Sequence, residues 1–321
     1  MKIFVTGGTG FIGKHVIEKL LQLGGYEIIV LTRQAVDSHN GALYLKGDLS
    51  DKKIINEITK EVDYVVHLAG CKKDPQAFLT TNVIGTENII SACSNSRIRK
   101  LLHLSSVGVI GRTNHTEINE QTLCRPSNGY EKSKYQAELL VKQFSISNPG
   151  KAIILRPTNV FGENDPEQHL LNLFTKIRKN QFYFVGRDLS KYYLNYLYVK
   201  EISELIPNLL TLSLNNDLYI LNTPVKLSEF IMKCKHVLMD ENPTEHLPYW
   251  PVKLMAICAD LLPRRIKKYS PINSLKLSEL TNKKKYSSSL LKKDLNWSPA
   301  FKIDDALQNL MSHYNHKSLL S

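Results

Sequence analysis

The sequence predicts an α/β protein with a doubly wound parallel sheet and a smaller, mostly helical C-terminal lobe, and three observations carry that prediction. Apolar runs of strand length alternate with helical periodicity through the first half of the 321 residues, the pattern of a parallel sheet covered on both faces. A glycine-rich stretch, Thr6-Gly7-Gly8-Thr9-Gly10-Phe11-Ile12-Gly13, turns the first apolar run straight into a helix. Past Arg156 the rhythm becomes irregular and prolines recur, which divides the chain into short elements.

Taken in order, strands are expected at 3–6, 27–32, 43–46, 64–68 and 100–105, each a short apolar run. Helices are expected at about 11–23 and 81–94, where apolar residues recur at helical spacing. A polar loop follows at 111–128, then a helix beginning near Tyr130 and a buried strand at 152–155. The second half offers loops around 162–168 and 186–191, a strand and helix within 196–212, and one more strand at 218–221. From Thr223 onward, Pro243, Pro248, Pro251, Pro263 and Pro271 separate short helices.

Glycines at the spacing of Gly7, Gly10 and Gly13 let a chain turn tightly, bring bare backbone to a pyrophosphate and pack a helix on its strand, with the helix N-terminus facing the anion. Residues 1–161, with about 192–222, are therefore expected to form a Rossmann-type dinucleotide-binding domain, and 162–191 with 223–321 a substrate-binding lobe. Ligands in such sheets sit at the carboxyl ends of the strands, which directs attention to the segments after Val5, Leu68, Leu104 and Leu155. Tyr130 and Lys134 open the helix that follows the polar loop. Four apart, they share one helical face, where an ammonium favours the phenolate and lowers a tyrosine pKa from its usual value of about 10.

With 42% hydrophobic and 22% charged residues, the chain has the make-up of a soluble globular protein. Lys2 leads directly into a short strand, so no secretory leader is expected. Cys71, Cys93, Cys124, Cys234 and Cys258 are odd in number and show no C-x-x-C spacing, which suits cytoplasmic thiols rather than a disulfide framework or a metal site. The net charge of +12 gathers partly at Arg264, Arg265, Lys267 and Lys268 and at Lys283, Lys284 and Lys285. Neither cluster is interleaved with aromatics like a base-stacking surface, so the expected partner is a phosphate-bearing small molecule and not nucleic acid. The apolar segment 251–262 is too short to span a bilayer, yet the basic residues after it suit a weak peripheral contact with an anionic membrane surface.

On these residues the chain resembles the extended short-chain dehydrogenase/reductase family, which holds nucleotide-sugar epimerases, dehydratases and 4-ketoreductases. The resemblance runs nearly end to end through the glycine stretch, Gly47-Asp48-Leu49, His67-Leu-Ala-Gly70, Asn82-Val-Ile-Gly-Thr-Glu-Asn88, Ser105-Ser106, Tyr130 with Lys134, Arg156-Pro-Thr-Asn-Val-Phe-Gly162 and Leu295-Asn-Trp-Ser-Pro299. It implies a cofactor seat in which Gly7, Gly10, Phe11, Ile12 and Gly13 shape the pyrophosphate turn and Asp48 with Leu49 meets the adenine. Leu68, Ala69, Gly70 and Asn82 would line the cofactor, Lys134 would hold the nicotinamide ribose, and Pro157 and Val160 would border the nicotinamide. Asn159 would face the substrate's phosphates or the cofactor carboxamide. Tyr130 would donate the proton and Ser106 would hold the same substrate oxygen; Ser105 is its rival, but counting five back from Gly111 selects Ser106. The resemblance also implies a homodimer through the helices bearing Asn82 and Tyr130.

Members of this family that prefer NAD usually end the second strand in an aspartate that grips the ribose hydroxyls. Here that strand ends Thr32-Arg33, with no carboxylate and with a guanidinium suited to a 2′-phosphate. NADP(H) is therefore expected over NAD(H). That choice favours a reductase, which draws fresh coenzyme each cycle, and the expected reaction is reduction of the 4-keto group of a nucleotide-linked deoxysugar in surface-polysaccharide synthesis. Val107 and Gly108 stand where dehydratases carry an acidic pair. Leu194-Asn195 stands where many members place an arginine for the diphosphate. The alternatives are a nucleotide-sugar 4-epimerase with retained NAD and, outside catalysis, an NADP-binding redox-sensing regulator; such regulators commonly lose the tyrosine or lysine that this chain keeps.

Overall fold

Ile3 and Val5 of β1 (Lys2–Thr6) point to one face and Phe4 to the other, and all three are fully buried. A strand buried on both faces needs cover on both. The computed structural model, which describes residues 1–34, 41–262 and 272–314, supplies it. Seven parallel strands form the central sheet: β1, β2 (Glu27–Thr32), β3 (Ala42–Lys46), β4 (Tyr64–His67), β5 (Lys100–Leu104), β6 (Ala152–Pro157) and β7 (Leu218–Leu221). Their order across the sheet is β7-β6-β5-β4-β1-β2-β3. The chain reverses its direction of travel between β1 and β4, so the loops leaving those strands part and open a crevice at their carboxyl ends.

Helices α1 (Phe11–Leu23) and α6 (Val199–Thr211) cover one face, burying Val16, Leu20, Ile202 and Ile206 against Ile3 and Val5. On the other face lie α2 (Lys52–Lys60), α3 (Gly85–Ser94) and α4 (Gly129–Ser147), whose Ile55, Ile89 and Phe144 pack on Phe4 and Val65. Beyond the sheet, α5 (His169–Arg178), α7 (Leu227–Leu238) and the helix Ile303–His313 enclose a separate apolar core around Phe161, Phe174, Phe230 and Leu307. Helix α8 (Tyr249–Leu261) leans on Val185 and Leu277 through Val252 and Ala256. The buried carboxylate of Glu201 accepts the backbone N–H groups of Ala300 and Phe301 at 3.1 and 2.9 Å, which pins the turn after Pro299 to α6.

The expected doubly wound sheet is present, with local differences. Helices α2 and α5 fall where no helix is expected. The helix expected at 81–94 starts earlier, as a π-helical turn Phe78–Ile84 that runs into α3. Within the polar loop, Glu117–Ile118 forms a short parallel pair with Lys285–Tyr286. Pro263, Pro271 and the basic cluster from Arg264 to Lys268 lie outside the described residues. Among the described residues no helix is long and apolar enough to cross a membrane.

Candidate active site

The turn after β1 is closed by a hydrogen bond from Gly10 N to Gly7 O at 3.0 Å, with Gly7 at φ +72°. A Cβ on Gly7 would stand 2.6 Å from Ala69 N, and one on Gly13 would stand 2.2 Å from Gly7 O. Only bare backbone fits this crossing of the loops after β1 and β4. Helix α1 then begins with Gly10 as its cap, with no side chain bonded to its first N–H groups and no acidic residue in its first turn. Those unclaimed donors and the positive end of the helix dipole fit a pyrophosphate, so the residues present suit a dinucleotide cofactor.

A buried hydrogen-bond chain locks the two loops together. Thr86 donates to the Asn82 carbonyl at 2.7 Å, so it accepts from His67 Nε2–H at 2.9 Å, leaving His67 Nδ1 to accept the Thr6 hydroxyl proton at 2.6 Å. Thr6 Oγ1 in turn accepts Ala69 N–H at 3.4 Å. Burial first, and the charge of Lys134 second, lower the His67 pKa to about 3, so the ring is neutral and serves as a fixed strut.

The predicted pair on α4 is present, held by a capping box in which Asn128 accepts Glu131 N–H at 2.9 Å and Glu131 reaches back to the Asn128 N–H. The Ser106 hydroxyl stands near enough to the Tyr130 phenol to favour its ionised form. Ser106 Oγ also accepts Gly108 N–H at 3.1 Å, which aims it from the end of β5. Its rival Ser105 is buried and donates to Glu138 at 2.8 Å, away from the phenol. Lys134 Nζ donates to the Leu104 carbonyl at 2.6 Å, and a Cβ on Gly70 would lie 3.9 Å from that nitrogen. Phe78 packs edge-on against the Tyr130 ring.

One electrostatic expectation is overturned. The Tyr130 pKa is raised, not lowered: burial dominates, the nearby Ser106 hydroxyl opposes it only in part, and Glu167, Cys71 and Glu131 add to the rise. The ammonium expected to favour the phenolate is itself buried and committed to Leu104, and burial lowers its own pKa to about 8. Tyr130 is thus a neutral phenol with its proton in place, the form a proton donor needs.

Two side chains of the expected cofactor seat are held by the protein itself. Asn82 is 1% exposed, accepts Cys71 N–H and donates to Cys71 O and Ser133 Oγ. With both amide hydrogens engaged, it ties the 70–71 loop to α4. Leu49 is packed against the Gly85 position and joins the apolar core, its carbonyl held by Asn88, so its side chain is structural. Neighbouring Asp48 is exposed, with one carboxylate oxygen on Ser50 N–H. Arg33 is exposed just past β2, Leu68 and Ala69 rim the crossing, Pro157 is buried at the end of β6, and Val160 is half-buried. Asn159 is exposed, within a short parallel pairing of Asn159–Phe161 with Tyr196–Tyr198. Asn195 is knotted to Asn222 and the Lys284 carbonyl, while Lys191 pairs with Asp188; neither stands as a free diphosphate clamp.

The sequence reading missed Glu138. Fully buried, it receives Arg156 Nε at 2.8 Å and Nη2 at 2.5 Å, along with Ser105 and Lys142. Arg156 also donates to Cys124 Sγ at 3.1 Å. The signal was available: Tyr130, Lys134 and Glu138 repeat at four-residue steps, one stripe of α4 turned to the sheet.

Residues 3–214 match the NAD dependent epimerase/dehydratase family. Among relatives, the N-acetyl-alpha-D-glucosaminyl-diphospho-ditrans,octacis-undecaprenol 4-epimerase of Escherichia coli O157:H7 is 26% identical over 86% of this chain and 84% of its own. In fold, the chain is similar to the UDP-glucose 4-epimerase of Thermotoga maritima, with a TM-score of 0.72, 22% identity and full coverage of both chains. It is equally similar to the dTDP-glucose 4,6-dehydratase of Bacillus anthracis, with a TM-score of 0.73, 19% identity and 99% coverage of both.

Proposed function

Since the chain belongs to the NAD dependent epimerase/dehydratase family, we propose that it is a cytoplasmic NADPH-dependent reductase of the 4-keto group of a nucleotide-linked deoxysugar, serving surface-polysaccharide synthesis. The observation that carries the coenzyme choice is the end of β2, where Thr32 is followed by an exposed Arg33 and, among the described residues of that strand end, no carboxylate stands to repel a 2′-phosphate. Residues 1–161 with about 192–222 would hold the dinucleotide, and 162–191 with 223–321 the sugar.

A bound nicotinamide supplies the hydride. The chain's own residues manage the charge that grows on the ketone oxygen: Ser106 holds that oxygen and Tyr130 gives it a proton, a contribution of about 10²- to 10⁴-fold for a positioned acid. Lys134, charged at neutral pH and anchored on Leu104, would hold the nicotinamide ribose beside Gly70. Val107 and Gly108 offer neither acid nor base for dehydration. Exposed Leu139 and Ile146 on α4 support a homodimer through the helices bearing Asn82 and Tyr130.

Absorbance at 340 nm with candidate 4-keto sugar nucleotides tests the reading: stoichiometric loss of NADPH supports it, and binding without turnover would show a sensor. A second reading, a 4-epimerase with retained NAD, is favoured by the names of relatives and structural neighbours; interconversion of sugar isomers without net loss of coenzyme would establish it instead. Arg33→Ala should reduce the preference for NADPH over NADH by roughly ten- to hundredfold. An unaltered ratio would remove Arg33 from coenzyme choice.

A further inference from the structure

Helix α8 is apolar on both sides. Val252, Ala256 and Ala259 fall on one stripe and turn inward, while Trp250, Leu254, Ile257, Cys258 and Leu261 fall on the opposite stripe and face outward. Trp250 is 72% exposed, Leu254 64% and Leu261 82%. A helix apolar all round belongs in a core or against another apolar phase, and a contiguous exposed stripe of this kind marks a contact site.

Charge says what the contact is. Between Asp260 and Glu279 the sequence holds five basic residues and no acidic one, four of the five at 264–268 immediately beyond α8. On the helix itself, Lys253 Nζ sits over the Trp250 ring, 4.9 Å from its centroid, and 5.9 Å from that of Tyr249, a cation beside the aromatic end of the stripe. A second copy of this chain docked stripe to stripe would bring together two molecules of net charge +12 each. An anionic lipid surface attracts both features: the apolar stripe suits the headgroup boundary, and a chain of net charge +12 with a basic sequence beyond the helix suits the phosphates. With 13 residues, α8 is long enough to lie in that boundary and too short to cross it.

We propose that α8 seats the protein on an anionic phospholipid surface, with Trp250, Leu254 and Leu261 as the inserted side chains. The proposal does not depend on which sugar or coenzyme the site takes. It is tested by co-sedimentation of the full chain with vesicles of phosphatidylcholine alone and of phosphatidylcholine with phosphatidylglycerol. Binding to the anionic vesicles, weaker binding to the neutral ones, and loss of binding as salt rises are expected. Trp250→Ser, Leu254→Gln and Leu261→Gln combined should lower the anionic partition at least about tenfold with the thermal midpoint kept. Wild-type protein left in the supernatant, or a triple variant that sediments equally, overturns the proposal. So does lipid-free self-association in sedimentation velocity that the triple variant abolishes, since the stripe would then face another copy.

Discussion

Lys134 carries its charge into a place closed to water, and the consequence is a stability that depends on pH. Burial draws its pKa from 10.5 down to about 8. Below about pH 8 folded and unfolded chains both bind the proton, and the folded state bears the full burial penalty. Between about 8 and 10.5 the folded lysine releases the proton while the unfolded one keeps it, so stability rises with pH. Urea unfolding should show the wild type gaining on Lys134→Met from pH 7 to 10, by about 3 kcal/mol at most. A gap that stays constant with pH contradicts the assignment. Glu138 shows the opposite balance, because it is the partner that makes a fully buried Arg156 tolerable. Glu138→Gln should cost about 3–5 kcal/mol in the same unfolding experiment, whereas a loss below about 1 kcal/mol would mean that the pair is not the anchor described. At this scale the sequence reached the right stripe and misjudged its electrostatics. Spacing places Tyr130 and Lys134 on one face, but it cannot tell that Leu104 takes the ammonium or that burial outweighs every other influence on the phenol.

Elements were legible in proportion to how much of their signal is local. The strands of the central sheet read directly as apolar runs, and α1 as a helix entered through glycine. Helix α2 escaped because only Ile55, Ile58 and Thr59 are buried among charged neighbours, although Asp51, whose side chain accepts Ile54 N–H, was a readable start signal. Helix α5 had no such signal: it begins after Gln168, which caps it in a left-handed conformation and bonds none of its N–H groups. The turn after β1 gives the sharpest prediction for an element. Gly13→Ala would set a methyl 2.2 Å from the Gly7 carbonyl oxygen, a backbone atom that cannot swing aside, so α1 must move off the turn. A cost of about 1–3 kcal/mol in stability is expected, with loss of dinucleotide affinity by calorimetry. Native affinity in that variant would show that the turn does not cradle the pyrophosphate.

For the whole molecule, the reversal between β1 and β4 is what gathers a site from segments far apart in sequence. Ser106 from the end of β5, Tyr130 and Lys134 from α4, and Gly70 from the end of β4 meet over one edge of the sheet. The joining of the second half of the chain to this edge was not legible, because it rests on buried amides paired over long separations: Asn222 bonds Asn195, Thr158, Ser288 and the Tyr286 carbonyl. Such pairs leave no periodicity to read. The account stands or falls on the phenol at residue 130, and the most direct measurement is steady-state turnover of Tyr130→Phe, with dinucleotide binding followed in parallel. The prediction is a fall in kcat of about 10²- to 10⁴-fold with coenzyme Kd within about twofold of wild type; turnover equal to wild type would contradict it.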